Sequence, residues 1–136
     1  MGNANHRSGE TMPDYRNPSN TQDRRRAYHK GKRAEFIAAL YLRICGFRIV
    51  GRRFKTPVGE IDLIARRGDL VLFVEVKARK SEQVALDAIS QTARQRIESA
   101  ADWWLSRQSD AALLNWRFDV IAIVPQRWPA HFKDVW

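Results

Sequence analysis

The chain has 136 residues, enough for one domain of ordinary size, and 44% of them are hydrophobic, which excludes a wholly disordered protein. Lysine and arginine outnumber aspartate and glutamate by 24 to 15, so we expect a polyanionic partner, nucleic acid before an acidic membrane surface. The single cysteine excludes a disulfide framework and a cysteine-built zinc site. No apolar run is long enough to span a membrane, and we expect a cytoplasmic protein with no membrane partner.

The N-terminal part of the chain is basic and poor in apolar residues. Residues 1–26 are rich in Asn, Ser, Arg, Gly and Pro, a composition that predicts a disordered tail preceding a folded domain over residues 27–136. Eight basic and three acidic residues lie before residue 35, so more than half of the net charge of +9 is at the entrance to the fold. Such a tail either contacts phosphates without sequence preference or simply keeps the protein soluble.

The remaining elements alternate between helix and strand patterns. Residues 27–45 carry an apolar stripe at helical spacing, and Gly46 follows as a helix terminator. Strands are predicted over about 47–54, 60–65 and 70–78, with a hairpin between the last two. A helix over about 84–107 and a strand over 116–124 complete the chain. This order predicts a mixed α/β layer architecture.

Charged residues of the hairpin fall on one face of its two strands. Because side chains alternate along a strand, Glu60 and Asp62 share a face on the first strand, and Glu75 and Lys77 share a face on the second. A turn at residues 67–68 would place Glu60 opposite Glu75. A slip of two residues would place Asp62 opposite Glu75 and keep the same face. The apolar residues of the reverse face fix that choice of face.

Three carboxylates in a partly buried sheet require a compensating positive charge. Lys77 supplies one charge, and a divalent ion that prefers oxygen ligands, Mg²⁺ or Mn²⁺, could supply the rest. A carboxylate-bound metal beside a lysine can cleave a phosphodiester, because the metal polarises the phosphate while the ammonium orients the attacking water. The structural alternative is a cross-strand ion pair of Asp62 with Lys77, with Glu75 neutralised by Arg79 or Arg52.

Two segments of the hairpin, G-E-I-D-L-I at residues 59–64 and F-V-E-V-K-A-R at 73–79, resemble the signature of the YraN-like family of small bacterial proteins. That family is an uncharacterised, predicted endonuclease-like group, and it is similar to the PD-(D/E)XK nuclease superfamily, which includes Holliday-junction resolvases. The resemblance covers about residues 31–124. It implies a restriction-endonuclease-like αβββαβ core, a central mixed sheet flanked by helices.

The resemblance also implies a site. Its catalytic residues are Asp62, Glu75 and Lys77, with Glu35 reaching in from the first helix. On this hypothesis Asp62, Glu75 and the Val76 carbonyl bind the metal, and Lys77 positions the attacking water. Glu35 could instead be an ordinary residue on the flank of its helix.

Basic residues around this cluster are the predicted DNA contacts, although each could also be a solvated surface charge. They are Arg52, Arg53, Lys55, Arg79 and Arg94. We therefore predict a Mg²⁺- or Mn²⁺-dependent endonuclease acting on DNA phosphodiesters. The alternative is a non-catalytic nucleic-acid-binding or adaptor module that retains the nuclease fold. The C-terminal Trp128 and Trp136 predict either closure of the sheet or a homodimer contact, and we expect Asp119 to be structural.

Overall fold

The computed structural model describes residues 18–136. Its elements, in chain order, are α1 (Pro18–Ile44), β1 (Arg48–Thr56), β2 (Gly59–Arg67), β3 (Leu70–Ala78), α2 (Glu82–Asp87), α3 (Gln91–Leu105), a 3₁₀ turn (Ala111–Leu113), β4 (Asn115–Ile123) and β5 (Ala130–Phe132). Within this described part of the chain, no helix is both long enough and apolar enough to cross a membrane.

The five strands form one mixed sheet in the order β1-β2-β3-β4-β5. All neighbouring strands are antiparallel except β3 and β4, which run parallel because α2 and α3 carry the chain back between them. Helices lie on both faces of the sheet. This architecture confirms the predicted α/β class with a central mixed sheet, and it is consistent with a restriction-endonuclease-like core.

Each face of the sheet packs against one long helix. On one face, Ala38 and Leu42 of α1 pack with Leu63 and Val74, members of the apolar face that the alternation predicted. On the other face, α3 packs on a cluster that contains Phe73 and other buried residues. Ile61, which the alternation places on the same side of its strand as Leu63, belongs to this second cluster. The hydrophobic core is therefore split by the sheet into two layers.

The helices differ from the prediction at their ends. Helix α1 begins at Pro18, so residues 18–26 are helical where a disordered tail was predicted, and residues 1–17 of that tail lie outside the described part of the chain. The single helix predicted over 84–107 is two helices. The second helix begins after Ser90, because the Ser90 hydroxyl accepts a hydrogen bond from the Ala93 N–H and caps α3. Strand β5 was not predicted.

The β2–β3 hairpin adopts the alternative register. Its ladder runs from Arg67–Leu70 to Leu63–Val74, which places the turn at residues 68–69 instead of 67–68. The reason is conformational. Gly68 has a φ of +59° and occupies the first central position of the turn, where hairpins favour glycine. This register places Asp62 level with Glu75.

Candidate functional site

The two strands of the β2–β3 hairpin separate at the end that carries the acidic residues. Pairing between β2 and β3 ends at Leu63 and Val74. The first residues of β2, from Gly59, and the last residues of β3, up to Ala78, are therefore not paired with each other. Asp62 lies in the opening, and its Oδ2 accepts a hydrogen bond from the Val76 N–H at 2.9 Å. Since the N–H and C=O of one strand residue point to the same neighbour, the Val76 carbonyl also faces the opening. We call this opening the fork.

Glu75 and Lys77 complete the fork. The Lys77 Nζ lies 3.1 Å from Glu75 Oε1, and the exposed fractions of the two side chains are only 21% and 14%. Burial of Asp62 and the negative charge of Glu75 raise the pKa of Asp62 to about 8, against the opposing hydrogen bond from Val76. Without a cation, Asp62 therefore keeps its proton at neutral pH and can donate it to Glu75.

Glu35, on α1, lines a cleft together with Asp62 and Glu75. Its negative charge also contributes to the raised pKa of Asp62. Its carboxylate is held by Arg53, whose Nε lies 2.7 Å from Glu35 Oε2. Arg53 is one of the few non-glycine residues with a positive φ, +46°, in strand β1. Within residues 18–136, no group of three His, Cys, Asp or Glu side chains has a geometry ready to hold a metal ion. The Glu35 carboxylate, which shares a cleft with Asp62 and Glu75, is engaged by Arg53.

Two clefts meet at the fork, and Glu60, Asp62 and Glu75 line both of them. The first cleft has a volume of about 530 Å³ and lies between the β1–β2 turn and the start of α3. The second cleft has a volume of about 800 Å³ and lies between α1 and the end of β3. Both clefts have basic walls. Lys55 and Arg96 line the first cleft, and Lys30, Lys77, Arg79 and Lys80 line the second.

Gly59 allows α3 to approach the start of β2. A Cβ added at Gly59 would lie 2.2 Å from the Arg96 carbonyl oxygen, closer than any real contact. The helix backbone therefore packs directly on the strand three residues before Asp62. This contact explains why the motif that resembles the family begins with glycine.

The predicted DNA-binding residues have different surroundings. Arg52 is exposed, Lys55 lines the first cleft, and Arg79 lines the second. Arg53 is engaged by Glu35, as described above. The Arg94 guanidinium lies 5.4 Å from the centre of the Trp136 ring, and Arg94 lines neither of the two clefts. Of the five predicted residues, only Lys55 and Arg79 line the clefts that meet at the fork.

Sequence reasoning missed a second polar cluster, on β4 and β5. Asp119 is fully buried and accepts hydrogen bonds from Arg117 Nε at 2.9 Å and the Asp134 N–H at 3.0 Å. His131 Nε2 lies 2.6 Å from the same carboxylate, and its Nδ1 lies 3.3 Å from the Tyr41 hydroxyl. Burial favours a raised pKa, but these hydrogen bonds outweigh it and lower the pKa of Asp119. Asp119 is therefore structural, as predicted. No sequence signal pointed to His131, because its strand was not foreseen.

Comparison with known proteins places the chain in a family. The family model described as uncharacterised protein family UPF0102 matches residues 34–123, which include Glu35 and the whole fork. A UPF0102 protein of Chelativorans sp. (strain BNC1) is 58% identical over 113 residues, 83% of this chain and 91% of the relative. A UPF0102 protein of Mesorhizobium japonicum is 55% identical over 111 residues, 82% of this chain and 89% of the relative. A UPF0102 protein of Brucella canis is 56% identical over 110 residues, 81% of this chain and 87% of the relative. The chain therefore belongs to the uncharacterised protein family UPF0102, which is the YraN-like family of predicted endonuclease-like proteins.

Proposed function

We propose that this protein is a Mg²⁺- or Mn²⁺-dependent endonuclease that hydrolyses DNA phosphodiesters. One observation carries the proposal: Asp62, Glu75 and Lys77 converge at a fork where two clefts with basic walls meet. Metal-dependent hydrolysis of a polyanionic phosphodiester needs anionic groups that can hold the metal, a cation near the reacting phosphate and a path for the substrate. All three features occur in one place.

The donor set of the fork fits a hard divalent cation. Two carboxylates are close enough that the charge of Glu75 raises the pKa of Asp62, so the fork has a deficit of positive charge when both are ionised. Asp62, Glu75 and the Val76 carbonyl would hold the ion through oxygen atoms, which Mg²⁺ and Mn²⁺ prefer. When bound, such an ion polarises a phosphoryl oxygen and lowers the pKa of a water molecule.

Lys77 supplies a positive charge next to the metal ligands. Glu75 holds its ammonium at 3.1 Å, and the side chain is 21% exposed, so the group is oriented and still reachable from the second cleft. In this position Lys77 orients the attacking water and stabilises negative charge that develops on the phosphate. Glu35 has a positioning role through Arg53, because their ion pair joins α1 to β1 beside the fork.

The clefts provide the path for the substrate. Their basic residues lie on both sides of the acidic fork, so a phosphate backbone that crosses the fork meets cations before and after it. Lys55 and Arg96 contribute on one side, and Arg79 and Lys80 on the other. Binding of this kind carries no sequence preference and weakens with salt, because each contacted phosphate releases counterions.

A second candidate function, a non-catalytic nucleic-acid-binding module, has one specific observation in its favour. Two of the carboxylates already have cationic partners, Lys77 for Glu75 and Arg53 for Glu35. Asp62, with its pKa of about 8, is protonated at neutral pH. The fork is therefore balanced in charge without a metal, as a structural ion cluster would be.

A cleavage assay separates the two functions. Duplex, single-stranded and four-way-junction DNA are incubated with the purified protein in Mg²⁺, in Mn²⁺ or with a chelator. We expect metal-dependent cleavage that is lost in Asp62→Asn and Lys77→Met. The matched control is Asp69→Asn, the same chemical change at an exposed position on the turn of the same hairpin. Binding without cleavage of any substrate would favour the non-catalytic module, and cleavage that persists in Asp62→Asn would place the activity elsewhere.

A further inference from the structure

The N-terminal half of α1 projects beyond the domain. All residues from 21 to 30 are exposed, whereas Ala34, Ala38 and Leu42 further along the same helix are buried. With a rise of about 1.5 Å per residue, the segment from residue 18 to residue 30 extends about 20 Å. We call residues 18–30 the α1 arm.

One side of this helix faces the fork. Ala27, Lys30, Gly31 and Ala34 line the second cleft, and these positions share one side of the helix. Arg24 lies three residues before Ala27, on the same side. The small residues leave space for a ligand, because a Cβ added at Gly31 would meet no atom within 4 Å.

Helix α1 also carries basic residues on its other side, one in the arm and one just after it. At about 100° per residue, Arg25 and Arg33 point away from the cleft-lining side. Both are exposed. Two basic residues, Arg24 and Lys30, therefore lie on the side of the helix that faces the cleft. Two others, Arg25 and Arg33, lie on the side that faces away from it.

We propose that the α1 arm guides duplex DNA into the fork, with Arg24 and Lys30 contacting the phosphate backbone of the double-stranded segment beside the reacting phosphate. This inference rests on the proposed function, which makes DNA the substrate, and adds that the DNA is double-stranded beside the reacting phosphate. The arm's length of about 20 Å corresponds to about six base pairs of duplex. A substrate needs a double-stranded flank of about that length to use the whole arm.

The aromatic content of the arm favours duplex over single-stranded DNA. Proteins that bind single strands offer exposed aromatic rings on which bases stack. The arm has one such residue in its described side chains, Tyr28, which is 52% exposed and has two cations against its ring. Lys32 Nζ lies 4.9 Å from the ring centre, and the Arg53 guanidinium carbon lies 5.1 Å from it. The arm thus presents several exposed cations and a single aromatic ring that already contacts two of the protein's own cations, which matches a phosphate backbone better than a row of stacked bases.

The test compares the two pairs of charges. Fluorescence anisotropy measures the binding of labelled duplexes to the full chain at several salt concentrations, with a chelator present so that nothing is cleaved. We expect Arg24→Gln/Lys30→Gln to lose about tenfold in affinity at physiological salt and to reduce the slope of log K against log salt by about 2. Arg25→Gln/Arg33→Gln should lose about twofold at most. Circular dichroism checks that both variants remain helical.

Three results would overturn the inference. Equal losses in the two variants would show that only total charge matters, and an unchanged slope in Arg24→Gln/Lys30→Gln would show no phosphate contact. Tighter binding of the full chain to anionic phosphatidylserine vesicles than to duplex, if lost in Arg24→Gln/Lys30→Gln, would assign the arm to a membrane surface. Cleavage separates this inference from the proposed function. If the wild-type protein cleaves DNA and the Arg24→Gln/Lys30→Gln variant binds and cleaves equally well, only the guide is wrong. If the wild-type protein cleaves nothing but binding depends on Arg24 and Lys30, only the nuclease is wrong.

Discussion

Replacing Asp62 with asparagine tests the electrostatics of the fork directly. Asparagine has the size of aspartate, and its Oδ1 can still accept the hydrogen bond that Val76 donates at 2.9 Å. Its amide N–H₂ takes the place of the carboxyl O–H, which in the protonated form of Asp62 can donate to Glu75. The variant therefore resembles the protonated form of Asp62 at every pH.

The size and sign of the effect follow from the pKa of Asp62, which is raised from 3.8 to about 8 in the folded protein. Between these two values the unfolded chain binds fewer protons than the folded chain, so the free energy of unfolding falls as pH rises, by about 1.4 kcal/mol per pH unit. From about pH 5 to about pH 8 the full effect is about 4 kcal/mol. Because Asp62 is partly exposed, solvent screening reduces the expected loss to about 2 kcal/mol. The free energy of unfolding of Asp62→Asn should not fall in this way, because asparagine does not titrate.

Urea unfolding of both proteins across this pH range, with a chelator present, measures the difference. We expect similar stability near about pH 4 and an advantage for Asp62→Asn of about 2 kcal/mol near about pH 8. Adding Mg²⁺ at the higher pH should stabilise the wild-type protein and leave the variant unchanged, because a bound ion requires the ionised carboxylate. A difference between the proteins that does not vary with pH would refute the reasoning, and equal stabilisation by Mg²⁺ would place the ion elsewhere.

Three further substitutions, one of them with a matched control, test other parts of the structure. Lys77→Met should lower the cleavage rate by about 10²-fold or more while duplex binding in chelator stays within about threefold, and a rate near that of the wild-type protein would remove Lys77 from the mechanism. Gly59→Ala should cost about 2–3 kcal/mol in urea unfolding, because its Cβ would lie 2.2 Å from the Arg96 carbonyl oxygen. Gly31→Ala, with open space around the new Cβ, is its control and should stabilise the helix by up to about 1 kcal/mol. Asp119→Ala should cost about 3 kcal/mol, since it leaves buried partners unpaired, and a thermal midpoint equal to that of the wild-type protein would contradict a structural role.

Most of the fold could be predicted because its elements have strong local patterns. The apolar stripe of α1 was correctly assigned, and Ala34, Ala38 and Leu42 are buried as the helical spacing required. The pattern could not reveal that the helix starts at Pro18, because residues 21–26 are all exposed and so carry no periodic signal. Strand β5 has only three residues, too few for an alternation to be recognised.

The face shared by Asp62, Glu75 and Lys77 was determined by the sequence alone, because two strands with apolar residues at every second position leave their charged residues on one side. The tertiary structure decided how close these groups come. The backbone angle of Gly68 set the register, and the separation of β2 from β3 opened the fork between Asp62 and Glu75. Contacts between distant segments, such as Arg53 with Glu35 or His131 with residues on α1 and β4, depend on how the elements pack in three dimensions. A local pattern carries no record of that packing.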